Sequence, residues 1–394
     1  MVKDITPSVK FIGVDDTDLD LFESQYAVPE GMSYNSYLIF DEKIAVMDTA
    51  DARKGKEWKG NLYEALDGRM PDYLVVHHME PDHSALVAWM LETFPSVTLV
   101  ATAAALKMLP QFFPGIYIDG RTLAVKEGDT LALGAHTLRF TMAPMVHWPE
   151  VMVSYEASEK LLFSADAFGR FGAMSHTGFM VSEDDDWACE ARRYYFNICG
   201  KYGVQVQNLL KKLSGCDIAM ICPLHGPVLN ENLGYHLDLY QTWSSYGVET
   251  EGVFVAYASI HGGTAAAAER FAEMLREKGC PKVSVADICR SDIAECVEDA
   301  FRYGKMVLAA SSYDAGVFTP MHDFLYRLQA KGYQKRTVGL IENGSWAPSA
   351  ARVMKEMLHP MKEVRIVEPV VTIRSRLHVE DLPNLEALAA AILA

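Results

Sequence analysis

The sequence has little of what would place it among membrane or nucleic-acid-binding proteins. No run approaches the ~20 uninterrupted apolar residues that a spanning helix needs, and the first residues lack the apolar core of a signal peptide. Lys and Arg total 36 against 52 for Asp and Glu, and the resulting net charge of −16 disfavours binding to a phosphate backbone. We therefore expect a cytoplasmic protein that binds neither membranes nor nucleic acid.

None of the seven cysteines stands in a CxxC pair, so neither a structural zinc motif nor a redox dithiol is expected. Internal repeats and low-complexity segments are also missing, which excludes fibrous and disordered classes. What is present is an ordinary globular composition, with 50% hydrophobic and 22% charged residues over 394 positions. That length predicts about two domains.

The first 250 residues predict strands packed between helices. Residues 33–50 predict a hairpin with its turn at Asp41 and Glu42. The apolar segment 73–76 predicts a strand, followed by the polar loop HHMEPDH and the helix-like segment SALVAWMLETF. Other strands are predicted at VTLVAT, within 123–144, and at VMVSYEA, KLLFSAD and DIAMICPLHG, with helices at AAALKMLPQFF and over about 186–213.

From Val253 onward the pattern becomes a regular alternation of strand, loop and helix, which is typical of a doubly wound parallel sheet. RIVEPVVTI predicts the fifth strand and DLPNLEALAAAILA the closing helix. Five strands in about 140 residues is the size of a flavodoxin-like domain. We therefore predict an α/β protein with one domain over 1–250 and a second over 251–394.

Ionisable residues collect where strands of the first domain end. Four stand in the loop after the strand at 73–76, and three more follow later strands. Imidazole and carboxylate ligands together suit iron, zinc or manganese, whereas the alternative is a solvated acidic loop with a capping Asp. The candidate metal ligands and catalytic residues are His78, Glu80, Asp82, His83, His147, Asp166 and His225.

Loops rich in glycine and hydroxyl groups follow the first, third and fourth strands of the second domain. Such a loop at a helix N-terminus can hold a phosphate, although glycines there also serve close packing alone. Aromatic residues in the later loops could flank a flavin ring. The candidate flavin-binding residues are Ser259, Ile260, His261, Gly262, Gly263, Thr264, Ser311, Ser312, Tyr313, Asp314, Ala315, Gly316, Asn343, Gly344, Ser345 and Trp346.

The order H-x-E-x-D-H, His, Asp, His resembles the diiron centre of the flavodiiron proteins, and the resemblance covers essentially the whole chain. It implies a metallo-β-lactamase-like αββα sandwich fused to a flavodoxin-like FMN domain. One iron would take His78, Glu80 and His147. The other would take Asp82, His83 and His225, with Asp166 bridging. The loop Ser311–Gly316 departs from the Thr-Pro-Thr-like pattern common in flavodoxins.

The resemblance also implies an oxidoreductase that reduces dioxygen to water, nitric oxide to nitrous oxide, or both, with electrons arriving through FMN. It implies a separate electron donor, either a rubredoxin or a reduced deazaflavin, and a head-to-tail homodimer or a dimer of dimers. Two alternatives are a binuclear zinc hydrolase and a non-enzymatic electron-transfer flavoprotein or gas sensor. The hydrolases usually carry a third His where Glu80 stands, and they have no use for a flavin.

Overall fold

A computed structural model of the protein describes residues 2–182 and 186–394. It divides into two compact units. The first comprises Met1–Tyr195 with Val204–Gln241, and the second comprises Phe196–Gly203 with Thr242–Ala394. The secondary structure is α/β in both units, as the sequence predicts.

Two β-sheets form the centre of the first unit. The larger has the spatial order Lys3–Asp4, Val9–Phe11, Tyr37–Ile39, Ala45–Met47, Tyr73–Val75, Thr98–Thr102 and Thr122–Val125. The smaller has the order Thr130–Ala132, Thr137–Met142, Met152–Glu156, Leu161–Phe163 and Met220–Cys222. Short antiparallel pairs join Val14–Asp16 to Met32–Tyr34 and Leu21–Phe22 to Tyr26–Ala27.

An apolar cluster lies between these sheets. It includes Tyr37 and Val75 from the larger sheet and Phe140, Met152 and Phe163 from the smaller one, all of them buried. Side chains alternate across a strand, so each sheet presents one face to this cluster, and the two sheets form a sandwich. The predicted hairpin at 33–50 is present as the antiparallel pair Tyr37–Ile39 and Ala45–Met47.

Helices lie between the strands of this part of the chain. They are Ala52–Lys54 (3₁₀), Gly55–Leu66, Pro81–Ser84, Val87–Thr93, Ala103–Phe112, Met174–Thr177, Trp187–Ile198, Gly200–Tyr202 (3₁₀), Gly203–Leu213 and Leu233–Ser244. The last of these is not predicted by the sequence. Its buried positions are His236, Tyr240, Trp243 and Ser244, which have helical spacing. Two of the four are polar, so the apolar residues alone do not show the helical period.

The second unit is a doubly wound domain around a mainly parallel sheet. Its central strands have the order Val283–Asp287, Thr250–Ala258, Tyr303–Tyr313, Thr337–Asn343 and Arg365–Ile366, with Gly316–Val317 and Val371–Ile373 attached to it. The helices are Gly263–Glu277, Ile293–Arg302, Thr319–Ala330, Ala350–Leu358, Val379–Asp381 (3₁₀) and Leu382–Leu393. This is the flavodoxin-like order 2-1-3-4-5.

The predicted fifth strand is divided into two short pieces, Arg365–Ile366 and Val371–Ile373. Both pair with Thr337–Asn343 in parallel. Pro369 lies between them and has no N–H to give to a ladder, so the continuous strand that the sequence predicts is interrupted there.

A buried arginine in the second unit donates hydrogen bonds to separate segments of the chain, and its removal should be destabilising. Arg336 is 2% exposed. Its guanidinium donates to the carbonyl oxygens of Tyr246 (2.7 Å), Gly247 (2.9 Å) and Phe301 (2.5 Å). Arg336→Met would leave these acceptors buried without donors, and we expect the free energy of unfolding to fall by about 3 kcal/mol in urea titrations.

The matched control is Arg352→Met, because that exposed arginine bonds Glu356 one helical turn away. Exposed pairs of this kind contribute well under about 1 kcal/mol. Equal losses in the two variants would show that the buried hydrogen bonds of Arg336 are not a main source of stability.

Candidate metal centre and flavin pocket

Four of the predicted metal ligands converge in a first ligand group, made of His78, Glu80, His147 and Asp166. The Nε2 atoms of His78 and His147 lie 3.2 and 3.1 Å from Glu80 Oε2. The same two atoms lie 3.3 and 3.2 Å from Asp166 Oδ2. His78 stands just after the strand Tyr73–Val75, where a buried parallel strand delivers its last side chains to one edge of the sheet.

The remaining three form a second ligand group, Asp82, His83 and His225. His83 Nε2 and His225 Nε2 are 3.0 Å apart, and each lies 3.3 Å from Asp82 Oδ2. Asp166 Oδ1 faces this group at 3.3 Å from His83 Nε2 and 3.6 Å from His225 Nε2. The two oxygens of Asp166 therefore face different groups, which is the arrangement of a bridging carboxylate.

These spacings match those of metal ligands. Bonds of about 2.1 Å in a tetrahedral site place neighbouring ligand atoms about 3.4 Å apart. Both oxygens of Asp82 and both of Asp166 are buried and have no hydrogen-bond partner among the described residues. Buried carboxylate oxygens in that state are costly unless they coordinate a cation, so the residues present fit a two-metal site.

The predicted flavin residues line a cavity of about 770 Å³ in the second unit. Of the sixteen, Gly262 and Gly316 are not among its lining residues. Gly262 is instead the N-cap residue that precedes the helix Gly263–Glu277, with a φ of +84°, a conformation that favours glycine. The cavity also takes in Ala347, Pro348, Ser349, Ser375 and Arg376, which were not among the predicted flavin residues.

Hydrogen bonds connect the chain segments that line this cavity. Thr264 Oγ1 lies 2.8 Å from Ser311 Oγ. Asn343 exchanges two hydrogen bonds with the main chain of Ser375, at 3.1 and 2.9 Å, and Ser345 Oγ lies 2.6 Å from Ser375 Oγ. The loop that follows the last strand is therefore bonded to the loop after the fourth strand.

Comparisons with known proteins show what this chain is similar to. Residues 32–226 match the family described as ODP family beta lactamase. The chain is 29% identical over 407 residues to the nitric oxide reductase of Moorella thermoacetica, covering 99% of this chain and 98% of that protein. It is 28% identical over 356 residues to the rubredoxin-oxygen oxidoreductase of Megalodesulfovibrio gigas, covering 89% and 87%. Diflavin flavoprotein A 1 of Synechocystis is 32% identical over 288 residues, 72% of this chain, and the chain spans 49% of its length.

Solved structures extend the likeness to the whole chain. Rubredoxin oxygen:oxidoreductase from Desulfovibrio gigas superposes with a TM-score of 0.92 at 25% identity and covers 100% of this chain and 98% of that one. The chain resembles the flavodiiron proteins over its whole length. The flavodiiron protein from Giardia intestinalis has the same fold, with a TM-score of 0.90 at 23% identity over 99% of this chain and 96% of that one. None of the helices in the described ranges has the length and apolar character needed to cross a bilayer.

The electrostatics of this candidate metal site favour ionised carboxylates. Burial alone would raise the pKa of Glu80, but the imidazoles of His147 and His78 lower it to about 2. Burial would lower the pKa of His147, but Asp166 and Glu80 raise it to about 9. Against its own burial, contacts with His78, His147 and His83 hold the pKa of Asp166 well below its usual range. A divalent cation can replace the imidazole protons as the balancing positive charge.

Two ligand histidines have their tautomer fixed by groups that the sequence analysis missed. His78 Nδ1 lies 2.8 Å from Glu150 Oε1, and His225 Nδ1 lies 2.7 Å from the carbonyl oxygen of Ser33. Because both partners accept hydrogen bonds, each Nδ1 carries the proton and each Nε2 presents its lone pair to the ligand groups. No motif marks Glu150, in a loop, or Ser33, in the strand Met32–Tyr34, since only the fold brings them close to the ligands.

His77, the neighbour of the first ligand, faces away from the ligand groups. Its Nδ1 lies 2.5 Å from Asp48 Oδ2 and its Nε2 lies 2.7 Å from Ser154 Oγ. Alternation along the strand explains this, because successive side chains point to opposite faces. His77 therefore stabilises the sandwich rather than the metal centre.

Proposed function

We propose that this protein is a flavodiiron oxidoreductase that reduces dioxygen to water, nitric oxide to nitrous oxide, or both. Two bound irons would supply redox chemistry at the paired ligand groups, and FMN would supply electrons. The observation that carries the proposal is the pairing of two ligand groups through Asp166, in a chain that also has a flavin-sized cavity.

In this proposal the residues of each site have separate tasks. His78, Glu80 and His147 hold one iron, Asp82, His83 and His225 hold the other, and Asp166 bridges them. The loops after the first, third and fourth strands of the domain 251–394 hold FMN, while the domain 1–250 holds the irons. Burial of Asp166 and of the histidines excludes bulk water from the ligand atoms.

The alternative function, a binuclear zinc hydrolase, explains fewer features of the chain. Glu80 places a carboxylate where a neutral imidazole would favour zinc, and its low pKa keeps that carboxylate charged. A hydrolase also has no use for the cavity lined by Thr264, Ser311 and Asn343. The third reading, a non-enzymatic flavoprotein, does not explain why all the ligand atoms converge.

We further propose that electrons come from a separate donor, a rubredoxin or a reduced deazaflavin, and that the working form is a cytoplasmic head-to-tail homodimer or a dimer of dimers. Relatives named nitric oxide reductase and rubredoxin-oxygen oxidoreductase support the substrates and the donor class. Trp346, 89% exposed at the cavity, offers an aromatic surface for a partner near the flavin.

The first test is the cofactor content of anaerobically purified protein. We expect about two irons and one FMN per chain by elemental analysis and by the visible spectrum of the released flavin. The same preparation, reduced through its flavin, should consume dioxygen or nitric oxide without releasing peroxide. Two zincs with no flavin would overturn the proposal in favour of the hydrolase.

A further inference from the structure

One buried carboxylate outside the ligand set is directed at a ligand. Glu150 is 2% exposed and is held at both ends. Its carbonyl oxygen accepts from Thr102 Oγ1 at 3.0 Å, and its Oε1 accepts from the main-chain N–H of Met79 at 3.0 Å. The same Oε1 lies 2.8 Å from His78 Nδ1. These hydrogen bonds restrict the conformation of Glu150, so the fold itself fixes its contact with His78.

The hydrogen-bond pattern favours the ionised form of Glu150. Oε1 accepts the main-chain N–H of Met79 and faces His78 Nδ1 at 2.8 Å, so a proton on the carboxyl group would reside on Oε2 as long as Nδ1 keeps its own proton. Oε2 is buried and has no hydrogen-bond partner anywhere in residues 2–182 and 186–394. A carboxylic acid would therefore bury an O–H donor without an acceptor, which is unfavourable. The negative charge of Glu150 therefore contacts the ligand His78 and the main-chain N–H of Met79.

This anion breaks a symmetry between the ligand groups. Each group has one carboxylate of its own, Glu80 or Asp82, and both share Asp166. Behind His225, however, the acceptor is the neutral carbonyl of Ser33. A further carboxylate on that side, Asp51, interacts electrostatically with Asp82. The carboxylate of Asp51 accepts the main-chain N–H of Arg53.

We propose that Glu150 is a positioning residue that aims His78 at the first ligand group and makes its imidazole a stronger electron donor. The inference rests on the proposed function, because it concerns iron held by that group. A carboxylate behind a ligand histidine raises the basicity of the ligand, and a more basic ligand stabilises the oxidised metal. The iron of the first group is therefore reduced at a lower potential with Glu150 than without its charge.

The test compares unaltered protein with Glu150→Gln, whose amide oxygen can still accept both N–H groups but carries no charge. We expect E150Q to keep two irons and FMN, and its diiron centre to be reduced at a more positive potential in an EPR-monitored titration. Glu150→Ala, which removes the acceptor as well, should lower iron affinity by about 10- to 100-fold. Glu92→Gln, at an exposed position of the same unit, is the matched control and should leave both quantities unchanged.

An E150Q protein that holds two irons at an unchanged potential would overturn the inference. If E150Q is not recovered folded, Glu150→Asp replaces it, because a carboxylate one methylene shorter keeps the charge but loses reach to His78. That variant should also shift the potential upward, and an unchanged potential in it is equally decisive against the inference. Iron and FMN content of the unaltered protein separates the two claims, since a chain without iron would contradict the proposed function itself.

Discussion

Replacing Asp166 by alanine is expected to remove metal from both ligand groups at once. Its Oδ2 faces His78 and His147, and its Oδ1 faces His83 and His225, so one substitution takes a ligand from each group. Loss of an outer-shell partner already lowers metal affinity about 10- to 100-fold, and loss of a shared ligand should exceed that. Iron per chain should fall from about two to well below one, and dioxygen or nitric oxide turnover by more than about 1000-fold.

The sharper comparison is Asp166→Asn, which keeps the shape and one oxygen but loses the charge. It should leave one group partly loaded, because the amide has one oxygen where the carboxylate has two, and that oxygen can face only one of the groups. Asp119→Asn, at an exposed turn, is the control and should retain both irons. Full iron content in D166A, measured alongside an unchanged FMN content, would show that Asp166 does not bridge the groups.

The convergence around Asp166 shows which part of the site a sequence can predict. His78, Asp166 and His225 each follow a buried strand, and strands of one sandwich bring their ends to a common edge. Residue type and position after a strand were therefore enough to predict that these side chains meet. The geometry adds what order alone cannot, namely that the two oxygens of Asp166 face opposite groups.

Glu150 and Ser375 mark the limit of that reasoning. Each acts through a contact with a residue far away in the chain, Glu150 with His78 and Ser375 with Asn343. Neither stands in a motif, and a carboxylate or a serine in a loop is most often solvated. The same limit applies to the fold. The helix Leu233–Ser244 could not be predicted from apolar spacing, because the polar residue His236 occupies one of its buried positions.

At the flavin cavity the largest effect is expected from Gly263→Ala. A Cβ built on Gly263 would lie 2.1 Å from the carbonyl oxygen of Ser375 and 3.3 Å from Asn343 Nδ2. The first contact is with main chain, so the loop at Ser375 must move rather than a flexible side chain. Gly263 begins the helix whose N-terminus would receive the FMN phosphate, and displacement of about 1 Å there misaligns several N–H donors. We expect FMN affinity to fall by at least about 100-fold, measured by fluorescence titration of the flavin-free protein.

Gly215→Ala isolates the contribution of the clash, because a Cβ there meets nothing within 4 Å and the site lies outside the cavity. That variant should bind FMN with unchanged affinity. Iron content should stay near two per chain in both variants, since the ligand groups draw no residue from the loop at Gly263. The flavin-poor G263A protein should therefore hold its metal yet turn over slowly with a donor that works through FMN. If G263A instead binds FMN like the unaltered chain, the phosphate does not lie at the start of this helix, and the assignment of the loop Ser259–Thr264 fails.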